Sequence, residues 1–545
     1  MELEQKGRWV LLHSPDGEGA GKELRALPGV KWHRPNQAWV TSIVSSGPMV
    51  ELARRRGCSV PQGVRDFHAD LRRRAWATGP LEISLPGGTL YPFQSRGVRW
   101  LETVRGRGLI ADQMGLGKTV QALADVDRSG SSLVLVVCPA GLRVHWAHAI
   151  HEWLGVPPSE IGLYGGSSYG RYRTFAWGGK LPSFLVCSYA LLRSLMKKQD
   201  TFEWDHLIFD ESHRLKNSRS KRAQGALSLT QRVPHARVTM LSGTPMPSHP
   251  ADLWHQLHIL DPGAFPSWKG FTAKWCGGWE APWGWSLRDP TEKMGLDLYH
   301  HLQDRWVLRR RKTDVLPELP PKSRTVFYAD FMRGEARRKY ERMVSEIRAL
   351  REDARTTEDP QERASLLGRA LGLVEGLRHA TGLWKVNFLS SLFDGSPVLV
   401  FAWHVEVQQA CILRLREDGL RVSSITADLP DPERAARVKR FQAGDFDALV
   451  LSIGAAAEGL TLTRAARTIF VQRHYSPSVL EQAEDRTHRI GQEQPTESIY
   501  LHVPDSIDDG VHKIVQRKRA NESLVMDGKR RGLPEGLLAF DCQEA

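Results

Sequence analysis

One segment of the chain has residue types and spacing that suit phosphate binding. It reads Leu109-Ile-Ala-Asp-Gln-Met-Gly-Leu-Gly-Lys-Thr119 and leads into a helical pattern. Glycines allow backbone N–H groups to surround a phosphate at the start of a helix. Lys118 would neutralise the β- and γ-phosphates, and the Thr119 hydroxyl would bind Mg²⁺. The general pattern has glycine where this chain has Asp112. A glycine-rich turn without a ligand is the alternative interpretation.

A pair of acidic residues follows another apolar run, in Leu207-Ile-Phe-Asp-Glu-Ser-His213. Asp210 can hold Mg²⁺ directly or through water, and Glu211 can orient and deprotonate an attacking water. Phosphoryl transfer needs mainly positioning and charge neutralisation, which these carboxylates and Lys118 would supply. Acidic pairs are also common in ordinary loops. The order of the two segments, with strand and helix patterns between them, favours the catalytic interpretation.

A third segment, Thr239-Met-Leu-Ser-Gly-Thr-Pro245, runs from apolar residues into small hydroxyl residues. Such a loop suits a coupling role near the phosphates, and an ordinary turn is the alternative.

A fourth segment, Gln482-Ala-Glu-Asp-Arg-Thr-His-Arg-Ile-Gly-Gln492, carries two arginines three residues apart. On a helix, Arg486 and Arg489 would share a face. Two guanidinium groups on one face suit a polyphosphate that develops charge. Because they lie far from Lys118 in sequence, they would act across an interface between two sheets. A solvated charged helix is the alternative.

Short apolar runs rich in β-branched residues must position these groups. They are Leu133–Cys138, Phe184–Cys187, His206–Phe209, Val238–Leu241, Pro397–Phe401, Ala448–Leu451 and Thr468–Val471. Continuous apolar strands separated by helices indicate parallel sheets covered on both faces. Ligand sites of such sheets lie beyond the carboxyl ends of the strands. The sequence therefore predicts two α/β sheets, each with a functional edge.

Length and composition set the broad class. The chain has 545 residues, of which 41% are hydrophobic and 25% are charged, which excludes a wholly disordered or fibrous protein. No apolar run approaches the roughly 18 residues that span a bilayer, and the polar start is unlike a secretory signal. The 6 cysteines include no Cys-x-x-Cys pair, which argues against a cysteine zinc site or a disulfide framework. We expect an intracellular protein, cytoplasmic if it is bacterial or phage-encoded, and the net charge of +13 is compatible with a nucleic-acid partner.

Together the segments resemble the superfamily-two nucleic-acid motors, specifically the Swi/Snf branch of DNA translocases. The resemblance runs from Phe93-Gln94 to Arg489 and includes Leu308-Arg-Arg-Arg-Lys-Thr-Asp-Val-Leu-Pro-Glu-Leu-Pro-Pro-Lys322, a typical link between lobes. Asp-Glu-Ser-His and Pro282-Trp-Gly-Trp285 are similar to the HepA-related (HARP) annealing helicases.

The resemblance implies an α/β fold with two RecA-like parallel-sheet lobes, helical protrusions and a small α+β N-terminal accessory domain. The expected domains are a HARP-like accessory DNA-binding module at 1–80, an ATP-binding lobe at 81–318 with a protrusion at 263–318, and a second lobe at 319–545 with a C-terminal brace helix.

The resemblance also implies roles for individual residues, with ATP and Mg²⁺ as cofactors. Gln94 would read the adenine. The phosphate-binding turn would consist of Asp112, Gln113, Met114, Gly115, Leu116, Gly117, Lys118 and Thr119. The coupling residues would be His213, Ser242, Gly243, Thr244, Gly459 and Gln482. The DNA contacts would be made by Pro139, Arg143, Ser188, Tyr189 and Thr461. Ala427 and Ala455–Ala457 replace glycines that are common in relatives, which could alter the grip of the second lobe on DNA.

The implied activity is that of a DNA-dependent ATPase that moves on duplex or branched DNA and remodels it by fork regression or strand annealing. A strand-separating helicase, a DNA-binding scaffold with an inactive ATPase and a nucleosome remodeller are the alternatives. The expected partner is duplex or branched DNA. No membrane association is expected, and the sequence does not indicate which proteins bind the chain.

The first 80 residues predict a small module. We expect a strand at Gly7–Leu12, helices at Lys22–Leu27 and Pro48–Arg56, and a hairpin at Val30–Val40. Trp32 and Trp39 would pack its core. Phosphate contacts would come from Lys31, Arg34, Arg54, Arg55 and Arg56.

A second aromatic-rich region contains Trp268, Trp275, Trp279, Trp283 and Trp285. For these residues, packing within a protrusion is favoured over base stacking.

Overall fold

The structure is a computed structural model of the full chain, and it divides into two compact units. The described residues are 2–6, 9–14, 24, 31–33, 36–42, 49–50, 53, 58–65, 82–165, 181–197, 203–282, 284–303, 305–426, 428–454, 462–489 and 491–529. The first unit contains residues 1–315 together with 521–530, and residues 316–520 belong to the second. Among the described residues, no helix is long and apolar enough to cross a membrane.

A parallel sheet of 7 strands forms the core of the first unit. In spatial order, the strands are Val307–Leu308, Arg107–Ile110, Arg237–Leu241, His206–Asp210, Val134–Cys138, Phe184–Ser188 and Ile161–Leu163. Val134–Cys138 is buried at every position. Leu135 and Val137 pack into one core cluster, and Val136 packs into the cluster on the other face. Burial on both faces explains why the strand is an unbroken apolar run.

Helices cover the first sheet on both faces. They are Pro92–Thr103, Lys118–Ser129, Arg143–Leu154, Leu192–Lys197, Lys221–Arg232, Trp254–Leu260, Trp268–Trp275, Glu292–Leu302 and Lys312–Val315. Short hairpins pair Ser84–Leu85 with Gly88–Thr89 and Gly278–Ala281 with Gly284–Leu287. The sheet order places the predicted motif strands side by side, so their carboxyl ends form one continuous edge.

The aromatic-rich segment of the first unit packs on itself. Trp275 is buried and its ring stacks on His301, with centroids 4.8 Å apart. The Trp285 indole N–H donates to the Thr272 hydroxyl over 3.0 Å. Trp275 and Trp285 therefore pack within this segment, whereas Trp279 is exposed and Trp283 lies outside the described residues.

The N-terminal residues form an antiparallel sheet of 4 strands. The strands are Glu2–Lys6, Trp9–His13, Lys31–His33 and Ala38–Ser42. Trp32 pairs with Trp39 across the predicted hairpin, and their ring centroids lie 5.5 Å apart. Trp39 is buried and Trp32 packs against the same cluster, which confirms their core role. The predicted helices Lys22–Leu27 and Pro48–Arg56 fall mostly outside the described residues. So do the side chains of Lys31, Arg34, Arg54, Arg55 and Arg56.

The second unit is built on a parallel sheet of 6 strands. In spatial order, they are Lys322–Tyr328, Thr496–His502, Arg467–Phe470, Val398–Ala402, Ala448–Ser452 and Val422–Ile425. Its helices are Gly334–Thr356, Pro360–Val386, Val405–Glu417, Asp431–Ala443, Pro477–Glu484 and the part of Ile507–Asp527 that precedes residue 521. Two parallel sheets with covering helices and a small N-terminal sheet confirm the predicted fold class.

Candidate nucleotide site

The glycine-rich segment forms a turn at the start of the helix Lys118–Ser129. Gly117 has φ of 71° and precedes the helix, so this position favours glycine. A Cβ at Gly117 would lie 2.3 Å from Nε2 of Gln94. The Gln94 amide donates to the Leu116 carbonyl over 3.2 Å, and its Oε1 accepts the Tyr91 backbone N–H over 3.0 Å. Gln94 therefore fixes the turn, and its expected contact with adenine stays a prediction.

The Lys118 ammonium lies over the preceding backbone. Its Nζ donates to the carbonyl oxygens of Asp112 at 2.8 Å and Gln113 at 3.4 Å. Burial lowers the pKa of Lys118, and the nearby carboxylates of Glu211 and Asp210 offset only part of that effect. A cation held by two neutral carbonyls can exchange them for phosphate oxygens. The position of Lys118 therefore suits the predicted phosphate contact.

Asp112, the departure from the general phosphate-binding pattern, has a structural explanation. Its carboxylate is fully buried, and Oδ1 accepts Nε–H of Arg310 over 2.9 Å. A second guanidinium nitrogen of Arg310 pairs with Oδ2, which also accepts from the Gln121 amide over 3.0 Å. A glycine could make none of these side-chain bonds. The Asp112 side chain therefore anchors the turn, and its backbone carbonyl is the atom that faces Lys118.

The acidic pair lies at the end of the strand His206–Asp210. Oδ1 of Asp210 accepts the Glu211 backbone N–H over 2.9 Å, and Oδ2 accepts the Trp146 indole N–H over 2.8 Å. Burial and the charge of Glu211 raise the pKa of Asp210 to about 6. Glu211 has φ of 50°, a left-handed conformation that is uncommon for glutamate and that recurs at functional sites.

Short polar contacts join the acidic pair to the hydroxyl loop. Oε2 of Glu211 lies 3.2 Å from Nδ1 of His213, which lies 3.0 Å from the Ser242 hydroxyl. The Ser242 oxygen accepts the Thr244 backbone N–H over 3.2 Å. A Cβ at Gly243 would lie 2.5 Å from Cγ of Met114 in the phosphate-binding turn. The three segments Asp112–Thr119, Asp210–His213 and Ser242–Thr244 are called the phosphate edge below.

Arg309 joins two parts of the phosphate edge, and sequence reasoning did not assign it a role. One of its nitrogens donates to the carbonyl oxygens of Ala111 and Gly243, each over 2.8 Å. Arg309 and Arg311 also pair with Asp527, at 3.4 and 3.1 Å. A run of three arginines usually indicates a solvated face. The sequence signal that could have indicated this role is the apolar pair before Arg309. That pair forms the strand Val307–Leu308, beside the strand Arg107–Ile110 that leads into the phosphate-binding turn.

The segments expected to contact DNA begin at the same edge. Pro139 follows the strand Val134–Cys138 directly. The Arg143 guanidinium donates to the carbonyl oxygens of Tyr164 and Gly165, over 3.1 and 2.5 Å. Ser188 and Tyr189 are both buried, and the Tyr189 hydroxyl donates to the Asp210 carbonyl over 2.7 Å. Their DNA contacts stay predictions.

The prediction that Arg486 and Arg489 share one helical face is wrong. The helix Pro477–Glu484 ends before them. The Arg486 N–H bonds to the Ala483 carbonyl, an i to i−3 bond that tightens the chain into turns, and the Arg486 carbonyl accepts the N–H of Leu462. Arg486 is 1% exposed, whereas Arg489 is half-buried and donates to the Asp485 carbonyl over 3.2 Å. Residues Asp485–Arg489 are called the arginine turn below.

Buried ion pairs hold the start of the arginine turn. Lys322 lies 2.8 Å from Glu484 and 2.7 Å from Asp485, and Arg324 lies 2.7 Å from Glu484. The Tyr500 hydroxyl also donates to Glu484. Burial by itself raises the pKa of Glu484, but the charges of Arg324 and Lys322 outweigh it and hold the pKa well below its usual range. Gln482 is buried in the preceding helix, and Gly459 and Thr461 lie outside the described residues.

Family comparisons match two domains along the chain. The SNF2-related domain matches residues 93–380, and the helicase conserved C-terminal domain matches residues 384–491. The chain belongs to the SNF2-related family. The first match contains the whole phosphate edge, and the second contains the arginine turn.

The chain is similar in sequence to two named proteins and in fold to one solved structure. The chain is 29% identical over 463 residues to the "DNA annealing helicase and endonuclease ZRANB3" of Bos taurus, covering 82% of this chain and 41% of that protein. It is 33% identical over 436 residues to the "SWI/SNF-related matrix-associated actin-dependent regulator of chromatin subfamily A-like protein 1" of Xenopus laevis, covering 79% of this chain and 43% of that protein. The chain thus spans less than half the length of these relatives. The solved structure "Sulfolobus solfataricus SWI2/SNF2 ATPase core in complex with dsDNA" aligns over 82% of this chain and 94% of that chain, with 22% identity and a TM-score of 0.39.

Proposed function

We propose that this SNF2-related chain is a DNA-dependent ATPase that moves on duplex or branched DNA and remodels it by fork regression or strand annealing. The observation that carries the proposal is the close approach of Glu211, His213 and Ser242 in the phosphate edge. Nδ1 of His213 lies 3.2 Å from Oε2 of Glu211, the expected base, and 3.0 Å from the Ser242 hydroxyl. Such contacts suit an enzyme whose hydrolytic step must respond to events elsewhere in the molecule.

The residues of the phosphate edge fit ATP with Mg²⁺. Mg²⁺ prefers oxygen ligands and is usually held by one or two protein groups together with substrate phosphates. Asp210 supplies carboxylate oxygens and Thr119 a hydroxyl at the start of a helix. Bound Mg²⁺ would neutralise phosphate charge. Lys118 would bind the terminal phosphates, while Glu211 would orient the attacking water and accept its proton.

In this proposal, the arginine turn supplies the positive charge that stabilises the transferred phosphoryl group. Arg489 is the better candidate for the contact with the transferred phosphoryl group, because its side chain is only half-buried. Arg486 is 1% exposed, so in the observed conformation its main effect is on the second unit itself.

DNA is the proposed partner, and its backbone the proposed contact. The relatives are named an annealing helicase and a regulator of chromatin, and the chain carries a net charge of +13. Backbone-directed binding releases counterions, so the affinity for DNA should fall steeply as the salt concentration rises.

In the same proposal, residues 1–80 recognise DNA junctions. Deleting them should reduce stimulation by forked DNA and leave hydrolysis without DNA largely intact.

The test is the rate of ATP hydrolysis against a panel of single-stranded, duplex, forked and four-way DNA, with Lys118→Ala as the inactive control. We expect stimulation by duplex or branched DNA and background rates for the control. DNA binding without hydrolysis would indicate an inactive scaffold. Release of long single strands from a tailed duplex would indicate a strand-separating helicase instead.

A further inference from the structure

Two buried aromatic side chains donate hydrogen bonds to the same aspartate. The Trp146 indole N–H binds Oδ2 of Asp210 over 2.8 Å, and the Tyr189 hydroxyl binds the Asp210 backbone carbonyl over 2.7 Å. Trp146 is fully buried, and Tyr189 is 5% exposed. Both the carboxylate and the backbone of the proposed Mg²⁺ ligand are therefore held by donors from other segments.

Each donor is connected to a segment that we expect to contact DNA: Tyr189 belongs to the segment 188–189, and Trp146 follows the segment 139–143. Trp146 is on the helix Arg143–Leu154, which starts where the segment 139–143 ends. Tyr189 directly follows the strand Phe184–Ser188, and its backbone N–H donates to the Cys138 carbonyl over 3.3 Å. The three strands behind these segments are neighbours in the sheet, in the order His206–Asp210, Val134–Cys138, Phe184–Ser188.

Close packing makes these bonds suitable for transmitting a displacement. Protein interiors are nearly as dense as organic crystals, so a shift of one packed segment is passed to its neighbours. A buried donor or acceptor that loses its partner carries a desolvation penalty, so the aromatic groups and Asp210 should move together. A small displacement of a metal-binding carboxylate has a large effect on phosphoryl transfer, which depends on positioning.

We propose that Tyr189 and Trp146 are positioning residues that couple DNA contact at segments 139–143 and 188–189 to the position of Asp210. The inference rests on the proposed function, in which DNA stimulates ATP hydrolysis. Coupling between two binding sites is reciprocal. Mg²⁺ with an ATP analogue must therefore change DNA affinity through the same bonds that let DNA change the site.

The main test removes one oxygen atom, in Tyr189→Phe. The Kd for labelled duplex DNA is measured by fluorescence anisotropy with and without Mg²⁺ and a non-hydrolysable ATP analogue. The ratio of the two Kd values is the coupling factor, in which uniform effects on DNA affinity cancel. Loss of one neutral hydrogen bond should move this factor about 2- to 10-fold toward 1. The ratio of DNA-stimulated to unstimulated hydrolysis should fall with it.

Tyr164→Phe is the matched control for this variant. Its hydroxyl lies 3.2 Å from the Ser194 hydroxyl, and its ring packs in the same core cluster as Tyr189. The control should keep the wild-type coupling factor.

Trp146→Phe provides a second variant, compared with Trp204→Phe. Trp204 is also buried and precedes the strand that Asp210 ends. Trp146→Phe should lose coupling and Trp204→Phe should retain it.

The outcomes separate this inference from the proposed function. If DNA stimulates the wild-type ATPase but Tyr189→Phe and Trp146→Phe both keep the wild-type coupling factor, the inference is overturned alone. An equal loss of coupling in Tyr164→Phe also overturns it, because the effect would then be general to the core. If DNA does not stimulate the wild type, the proposed function fails and the inference fails with it.

Discussion

The phosphate edge and the arginine turn hold their functional groups by different means. In the phosphate edge, the groups expected to act on ATP contact uncharged partners, as Lys118 does with carbonyls and His213 with Ser242, while the Asp112–Arg310 ion pair anchors the turn. In the second unit, the arginine turn follows a buried ionic cluster around Glu484. Bonds to uncharged partners can be exchanged for ligand bonds, whereas a buried ion pair is strongly destabilising to break. The comparison indicates an adaptable edge in one unit and a fixed scaffold in the other.

The largest effect expected from the arginine turn concerns Arg489, which is half-buried. Arg489→Ala should lower kcat by about 10³-fold, because arginines that stabilise transferred phosphoryl groups contribute roughly 10³–10⁵ in rate. ATP affinity should change only a few-fold. Arg486→Ala should also lower turnover, but it should destabilise the second unit as well, because Arg486 is buried. Equal losses in ATP binding and turnover for Arg489→Ala would indicate a ground-state contact instead.

The second prediction addresses the ionic cluster. Glu484→Gln leaves Lys322 and Arg324 without their shared carboxylate and should destabilise the second unit by about 3 kcal/mol. Amide hydrogen exchange in the strand Lys322–Tyr328 reports this loss. The control is Glu341→Gln, which breaks an exposed ion pair with Arg337 of 2.7 Å and should change stability by only ~0.5 kcal/mol.

The same variant predicts a pH dependence. Because the folded pKa of Glu484 lies below the ordinary value of 4.5, its contribution to stability is present above that pH. The contribution is lost as the pH falls from 4.5 toward the folded pKa. The difference in stability between wild type and Glu484→Gln should therefore shrink below pH 4.5. A difference that stays constant down to acid unfolding would contradict the assignment.

Much of the fold could be predicted from sequence, because strands buried on both faces are unbroken apolar runs. The phosphate-binding turn was equally predictable, since glycines with positive φ and the following lysine are local features. Asp112 and Arg310 were not, because they are 198 residues apart and no local pattern joins them. The helical prediction for Arg486 and Arg489 failed because contacts with Leu462 and Lys322 end the helix early.

The third prediction tests that long-range pair. Asp112→Asn keeps the shape of the side chain but removes the charge that binds Arg310. We expect about a tenfold loss of ATP affinity, because the turn loses its anchor. Titration with a fluorescent ATP analogue measures this. Asp127→Asn, on the exposed side of the helix Lys118–Ser129 that follows the turn, should bind the analogue as the wild type does.

The smallest effect is expected on the exposed surface of the second unit. A Cβ at Gly372, in the helix Pro360–Val386, would meet no atom within 4 Å. Gly372→Ala should therefore stabilise the unit by about 0.5–1 kcal/mol without changing ATP hydrolysis. At Gly376 a Cβ would lie 3.2 Å from Sδ of Met343, so Gly376→Ala should gain less. Any change in turnover with Gly372→Ala would show that unit stability alone alters catalysis.

The most direct test of the central claim compares ATP binding and hydrolysis in Glu211→Gln. This variant removes the proposed base and keeps the side-chain shape near His213. In the presence of duplex DNA and Mg²⁺, we expect ATP affinity close to wild type and hydrolysis reduced by about 10²–10⁴-fold, the usual contribution of a general base. Hydrolysis at the wild-type rate would contradict the account, because another group would then have to activate the water.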